Sequence, residues 1–372
     1  MKVYNLTAGM SFPSWLSPAQ RRELSRSSRY ADSVMLLQDL QFPATSQRIQ
    51  LTRDQRNLFI TGTYRPSVKC YELSELSMKF ERHFNEEICD FNVLTDDFSK
   101  LACLGVNTYT VYFQAKFGDY TSVKVPGCAR VMKYDRSTCD LFLGGAAPVI
   151  WRFNLEAGRF LPSLTTELTD VGAISIAERH SLYALGGSED DGMRAVLEMR
   201  DPRAPQSRPI GRLDLRAQLA SMGEVQANAG PFGVTSIDFH ADGLHVGVGT
   251  GSGHALLYDL RAAQPLFVKD HRNELPIHSV RFDGQHCFSA DSKVIKVWDY
   301  RTGASFTNIE TDAPSADILV FPESGVVFAT GEQPKVMAYY CPALGKAPRW
   351  CSFLDNITEE LEERKRSTQA DE

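Results

Sequence analysis

Residues 277–303 read IHSVRFDGQHCFSADSKVIKVWDYRTG. The stretch predicts three consecutive strands. An apolar run from Ile277 reaches a turn at Asp283–Gly284, a short strand ends at Ala290, and a polar turn at Asp291–Lys293 leads into an alternating strand closed by Trp298. Aspartate and glycine supply the backbone conformations that such turns need. In the closing strand Val294, Lys296 and Trp298 share one face, and Ile295, Val297 and Asp299 share the other. Both faces carry apolar residues, as expected of a strand sandwiched between two layers.

The same unit recurs on both sides. VTSIDFHADGLHVGVGTGSGHALLYDLR (234–261) precedes it and ADILVFPESGVVFATGEQPKVMAYYCP (316–342) follows. Weaker copies begin near Ile49, Ile88, Ala129 and Val171. Aligning the closing strands puts Tyr71, Tyr112, Arg152, Met199, Tyr258, Trp298 and Tyr339 at one position, with gaps of 41, 40, 47, 59, 40 and 41 residues. Four of the six gaps match the blade period of about 40–45 residues of WD40 repeats. The long gaps hold SEDDG (188–192) and DPRAPQSRPIGRLDLRAQLASMGEVQANAGP (201–231), the latter reading as an insertion.

Seven units predict an all-β fold, a seven-bladed WD40 β-propeller. A four-stranded blade has two apolar faces and cannot cover both alone; stacking blades in a ring buries them and leaves only short edges. Closure needs a latch. Lys2-Val3-Tyr4-Asn5-Leu6 resembles the end of IKVWDY and is read as the strand that completes the last blade. The expected division is a propeller over 1–345, including this latch and a basic helix at 14–30, and a C-terminal tail over 346–372.

Composition fits a large core. Of 372 residues 43% are hydrophobic and 23% charged, which excludes wholesale disorder. No apolar run approaches the ~18 residues of a bilayer-spanning helix. The start, MKVYNLTAGMSFPSWL, lacks the charged-then-apolar layout of a secretory signal. The eight cysteines are scattered with no C-x-x-C pair, which favours reduced thiols in the cytosol or nucleus and argues against structural zinc. A net charge of −6 argues against indiscriminate coating of nucleic acid, so any such contact is local.

No catalytic or cofactor motif emerges. The cluster Gly247–Gly253 fails as G-x-G-x-x-G and runs into the strand ALLYDLR rather than a helix, so it reads as a strand-to-strand turn. The eight histidines form neither H-E-x-x-H nor a tight ligand pair, and His240-Ala241-Asp242-Gly243 reads as a turn. His271, Ser289, Asp291 and Trp298 carry the one Ser-His-Asp temptation. Each falls where a WD blade places its internal hydrogen-bonded staple, so the set reads as structural.

Two segments lie outside the repeat. SWLSPAQRRELSRSSRY (14–30) starts like a helix, with Ser17 as N-cap and Pro18 in the first turn. Residues 1–30 carry Lys2, Arg21, Arg22, Arg26 and Arg29 against Glu23, a net +4 that suits RNA phosphate or an acidic partner. The second is the tail. Trp350, Phe353 and Leu354 suit packing under the propeller, and Thr358 suits the cap of a short acidic helix. From Asp355 onward there are seven acidic and three basic residues.

APRWCSFLDNITEELEE (347–363), TGTYRPSVKCYEL (61–73), LSMKFERHF (76–84), LTDDFSKL (94–101), NLEAGRFL (154–161), LLYDLR (256–261) and KDHRNELPIHSV (269–280) together resemble the nucleolar protein 10 family, called essential nuclear protein 2 in yeasts. The likeness spans nearly the whole chain, and the tail motif is its most specific part. It implies a nuclear, nucleolar WD-repeat scaffold of the small-subunit processome, the particle that processes and folds pre-18S ribosomal RNA. Implied partners are other ribosome assembly factors, with pre-ribosomal or small nucleolar RNA as the nucleic acid; no enzyme activity, cofactor, metal, membrane or small-molecule substrate is implied. Family members continue past the EELEE stretch into a basic extension, whereas this chain ends in RKRSTQADE, so RNA binding by such an extension is not assigned to these residues. Residues in 201–231 do not place on the family pattern. The candidate contacts are Arg21, Arg22, Arg26 and Arg29, with Lys346, Arg349, Trp350 and Phe353 of the tail. The alternatives are a generic WD40 adaptor, such as a ubiquitin-ligase substrate receptor, and a propeller enzyme with its site in the central channel.

Overall fold

The computed structural model describes residues 2–7, 40–201, 208–224, 230 and 232–371. Strand β1 (Tyr4–Asn5) comes first. The first sheet is β2 (Ser46–Leu51), β3 (Asn57–Gly62), β4 (Ser67–Glu72) and β5 (Ser77–His83). The second is β6 (Ile88–Val93), β7 (Leu101–Gly105), β8 (Thr110–Ala115) and β9 (Gly118–Lys124). The third is β10 (Val131–Asp135), β11 (Asp140–Gly144), β12 (Val149–Asn154) and β13 (Arg159–Thr165). The fourth is β14 (Asp170–Ile176), β15 (Tyr183–Glu189), β16 (Arg194–Arg200) and β17 (Gly211–Asp214), followed by helix α1 (Leu215–Met222). The fifth is β18 (Val234–Phe239), β19 (His245–Thr250), β20 (His254–Asp259) and β21 (Phe267–Asp270). The sixth is β22 (Ser279–Asp283), β23 (His286–Ala290), β24 (Val294–Asp299) and β25 (Ser305–Glu310). The seventh is β26 (Ser315–Val320), β27 (Val326–Gly331) and β28 (Met337–Tyr340), completed by β1, and helix α2 (Phe353–Asp371) is the last described element.

This is the seven-bladed propeller, each blade an antiparallel meander. β1 pairs with β28 at Tyr4–Tyr340 and Asn5–Tyr339, so both ends of the repeat region share one blade. The apolar residues divide into seven clusters, one in each gap between neighbouring blades. Alternation along β24 shows how: Ile295 and Val297 enter the cluster shared with the seventh blade, while Trp298 enters the one shared with the fifth. A fully buried side chain of this size stabilises by about 1.5–3 kcal/mol, so no blade holds its faces without its neighbours.

The registers correct the aligned closing positions in three blades. Tyr71, Tyr258, Trp298 and Tyr339 are equivalent, pairing with Leu58, Val246, Cys287 and Val327. In the second, third and fourth blades the equivalent residues are Gln114, Phe153 and Arg200, pairing with Leu101, Leu141 and Tyr183, instead of Tyr112, Arg152 and Met199. Arg200 is buried like the aromatics it replaces because its guanidinium donates to Glu198 Oε2 at 2.9 Å and to the Thr165 carbonyl at 2.8 Å.

The 201–231 segment also differs from a simple insertion. Its GRLD is β17, the outer strand of the fourth blade, and α1 follows directly. The Asp214 carboxylate caps α1 by accepting from the Ala217 amide at 3.0 Å, and Gly223 ends it at φ 79, a left-handed conformation open to glycine. Leu215 and Leu219 sink between the fourth and fifth blades, and the Tyr258 hydroxyl donates to Gln218 Oε1 at 2.6 Å. Gly247 and Gly249 lie within β19 rather than in the turn. A Cβ on Gly249 would meet Ser236 Oγ at 2.2 Å and Ile277 Cγ2 at 2.7 Å, so glycine is required where the sixth blade presses in. All eight cysteines are free thiols, and no helix among the described residues is long and apolar enough to cross a membrane.

Candidate functional site

Three regions carry polar or charged side chains in arrangements that need explaining. The first is the sixth blade. His271 follows β21, Ser289 lies in β23, Asp291 begins the next turn and Trp298 lies in β24. The structure brings all four together. Trp298 Nε1 donates to Ser289 Oγ at 3.3 Å, Ser289 Oγ lies 2.8 Å from His271 Nε2, and His271 Nδ1 lies 3.1 Å from Asp291 Oδ2. Since the indole only donates and the carboxylate only accepts, the Ser289 hydroxyl donates to Nε2 and His271 carries its proton on Nδ1. Burial alone would raise the Asp291 pKa. The bonds from His271, Asn273 and the amides of Lys293 and Val294 outweigh it and hold the carboxyl below its usual range. The connectivity is that of a Ser-His-Asp set, but His271 is 2% exposed and Ser289 and Asp291 0%, and none of the four lines the central cavity. The serine oxygen has no path to a substrate carbonyl. The set pins β23 and β24 of the sixth blade to the segment that arrives from the fifth.

The second region is the central channel, which widens into a cavity of about 1010 Å³ at the ends of the innermost strands. Side chains there stitch neighbouring blades. Asp90 accepts from the amides of Phe91 and Met132, both at 2.9 Å, and so joins the second blade to the third. Asp317 repeats the pattern with Ile318 at 2.9 Å and Ile49 at 3.3 Å, joining the seventh to the first. Gln50 Nε2 donates to the Phe91 carbonyl at 2.6 Å, and Asn92 Nδ2 to the Met132 carbonyl at 2.8 Å. Charges alternate around the channel as Asp317, Arg48, Asp90, Lys133, Asp238 and Arg281, the last returning to Asp317 at 3.7 Å. Burial raises the pKa of Asp90 and of Asp238 against the pull of these cations, while Asp90 and Asp317 outweigh the burial of Arg48 and raise its pKa. The sequence reading missed this belt. Its signal is present: one charged residue recurs at inner-strand positions of six repeats, visible only once the first strands are aligned.

The third region is the tail. Lys346 and Arg349 are exposed, and Phe353 is 41% exposed. Trp350 instead turns inward, its ring stacked on Phe328 at 6.4 Å and edge-on to Phe321 at 5.9 Å. Cys351 and Leu354 are fully buried in the gap between the seventh and first blades, in one cluster with Tyr4, Leu6 and Tyr340. The Tyr340 hydroxyl donates to Asp355, and the Tyr4 hydroxyl donates to Glu362 Oε1 at 3.3 Å. Thr358 is not a cap. The helix starts five residues earlier at Phe353, and the buried Thr358 hydroxyl donates to the Asp355 carbonyl at 2.9 Å inside it. Arg21, Arg22, Arg26 and Arg29 lie outside the described residues.

The comparisons agree with this architecture. A family model described as "Nucleolar protein 10-like, N-terminal domain", a β-propeller, matches residues 1–365. Nucleolar protein 10 of Xenopus tropicalis is 40% identical across 100% of this chain, and that of Homo sapiens 37% across 100%, each over 53% of the relative's length. Ribosome biogenesis protein ENP2 of Saccharomyces cerevisiae is 33% identical over 99% of this chain and 50% of its own length. The chain thus spans about half the length of the curated relatives it matches. It belongs to the nucleolar protein 10 family, whose N-terminal β-propeller it carries.

Proposed function

We propose that this protein is a nucleolar, non-catalytic scaffold of ribosome biogenesis, acting in the small-subunit processome in support of pre-18S ribosomal RNA processing. The observation that carries the reading is a match along the whole chain to relatives whose names are "Nucleolar protein 10" and "Ribosome biogenesis protein ENP2". The architecture supports it. Rigid strands hold many loops in fixed relative positions, which suits simultaneous contact with several assembly factors. The division at 345/346, with propeller before and tail after, is part of the proposal. The contact surfaces proposed are the basic segment with Arg21, Arg22, Arg26 and Arg29, and the tail surface of Lys346, Arg349 and Phe353. Trp350 serves that surface by anchoring it to the seventh blade.

The test is crosslinking of the tagged chain in cells, followed by sequencing of bound RNA and identification of bound proteins. Enrichment of pre-ribosomal RNA, or small nucleolar RNA, with small-subunit assembly factors is expected. Recovery of ubiquitin-ligase subunits without nucleolar precursors overturns the reading in favour of a generic adaptor. Deleting residues 14–30 weakens recovery of pre-ribosomal particles; unchanged recovery removes the basic segment from the account.

A further inference from the structure

The turn between β18 and β19 was read from sequence as an ordinary connection, yet it brings three ligand-type side chains together. Donor atoms of His240, Asp242 and His245 lie within 4.8 Å of one another. The His240 ring is fixed at both nitrogens. Nε2 lies 3.0 Å from the Gly284 carbonyl oxygen, which can only accept, so Nε2 carries the proton. Nδ1 is then unprotonated, and its one lone pair accepts from the Asp242 amide at 3.2 Å, a bond that an ion at Nδ1 would replace. Nδ1 itself sits 3.0 Å from Asp242 Oδ2, and His245 Nδ1 reaches the same oxygen at 2.6 Å. An imidazole whose far N–H is held by a backbone carbonyl is also the arrangement that orients metal-ligating histidines.

We propose that His240 Nδ1, Asp242 Oδ2 and His245 Nδ1 bind a zinc ion, with water in the remaining position. Two imidazoles and a carboxylate suit zinc, whose bonds to them are about 2.0–2.2 Å and place tetrahedral donors roughly 3.3 Å apart. The donors open from 2.6 and 3.0 Å to that spacing to take it, and His245 passes to its Nε2–H tautomer, exchanging its Nδ1 proton through water, so that Nδ1 offers a lone pair. The surroundings are built for this. The Tyr300 ring packs at 4.3 Å on His240 and at 5.1 Å on His245, limiting their motion. His240 is 10% exposed, His245 18% and Asp242 27%, so the donors are sheltered yet reachable from the mouth of the central cavity, which His240 and Ala241 line. The backbone amides of Leu244 and His245 donate to Asp242 Oδ1 at 2.8 and 3.1 Å, keeping the carboxylate aimed. Of the cations nearby, Arg261 is paired with Asp259 at 2.6 Å, and Arg301 donates to the Tyr300 hydroxyl at 3.0 Å. Because Gly284 belongs to the sixth blade, the His240 ring links the site to the neighbouring blade at the cavity mouth.

The experiment titrates the chelator-stripped full chain with Zn²⁺ by calorimetry and with Co²⁺ by absorption. Expected are one ion per chain, visible Co²⁺ bands without the thiolate charge-transfer band that cysteine ligation gives, and a Zn²⁺-dependent rise in Tm. Asp242→Asn and His245→Gln each weaken binding by more than about tenfold, since even loss of a residue that merely orients a ligand costs that much. Where either variant fails to fold, His240→Gln and the wild-type Co²⁺ spectrum decide. No stoichiometric binding, a thiolate band, or undiminished affinity in folded variants overturns the proposal.

Discussion

Asp291 accepts from His271, Asn273 and two backbone amides while fully buried. Asp291→Ala strands those donors and is expected to cost about 3 kcal/mol or more, read as a lower urea midpoint with an unchanged slope. A midpoint within error of wild type contradicts the staple. His278 offers a pH test. Its Nε2 donates to the Asp291 carbonyl at 2.9 Å, and burial is the main cause that lowers its pKa, opposed by Asp317 and Asp291 and aided by Arg48. The unfolded chain then takes up a proton near pH 6.5 that the folded chain refuses, so this histidine's contribution to stability is lost as pH falls below about 6.5. His278→Gln removes the effect: the stability gap between wild type and variant narrows on acidification from about pH 7.5 to pH 5.5, whereas a constant gap contradicts the assignment. The staple was legible in sequence because its four residues fall within one repeat. The channel belt and the His240 cluster were not, because their partners come from other blades, or from a turn whose residues are equally ordinary as turn formers.

At the scale of elements, α2 and β1 do related work. Both pack into the gap between the last and first blades, where Leu354, Cys351, Tyr4 and Leu6 share one cluster. Leu354→Ala is expected to cost about 2–5 kcal/mol, checked by chemical denaturation. Lys346→Glu with Arg349→Glu leaves stability within about 0.5 kcal/mol, since both are exposed, while reducing recovery of assembly partners. Equal stability losses in the two cases would mean that the tail surface is structural rather than available for contact. The closing position was legible in the four blades where Tyr71, Tyr258, Trp298 or Tyr339 holds it, and in the third it was misplaced by one residue, from Phe153 to Arg152. It slipped where Gln114 and Arg200 hold that place, because buried polar side chains satisfied by local partners leave no hydrophobic signal. β17 was hidden for a similar reason: GRLD is short, with partly exposed residues, and sits inside a polar stretch.

For the whole molecule, closure is what turns seven weak sheets into one rigid body. Each apolar cluster is shared by two blades, so no cluster survives removal of either neighbour. The two-residue strand β1 carries the start of the described chain into the final blade as its outer strand, and Gln41 adds a bridge to Lys335 in the same blade. Hydrogen exchange on the full chain and on a chain lacking residues 1–7 measures this directly. The account predicts that loss of β1 strips protection from β26, β27 and β28 and from the facing strands β2 and β3, while β10, β11 and β12 on the far side keep theirs. Unchanged protection in the seventh and first blades would contradict a ring held shut by its N-terminal strand.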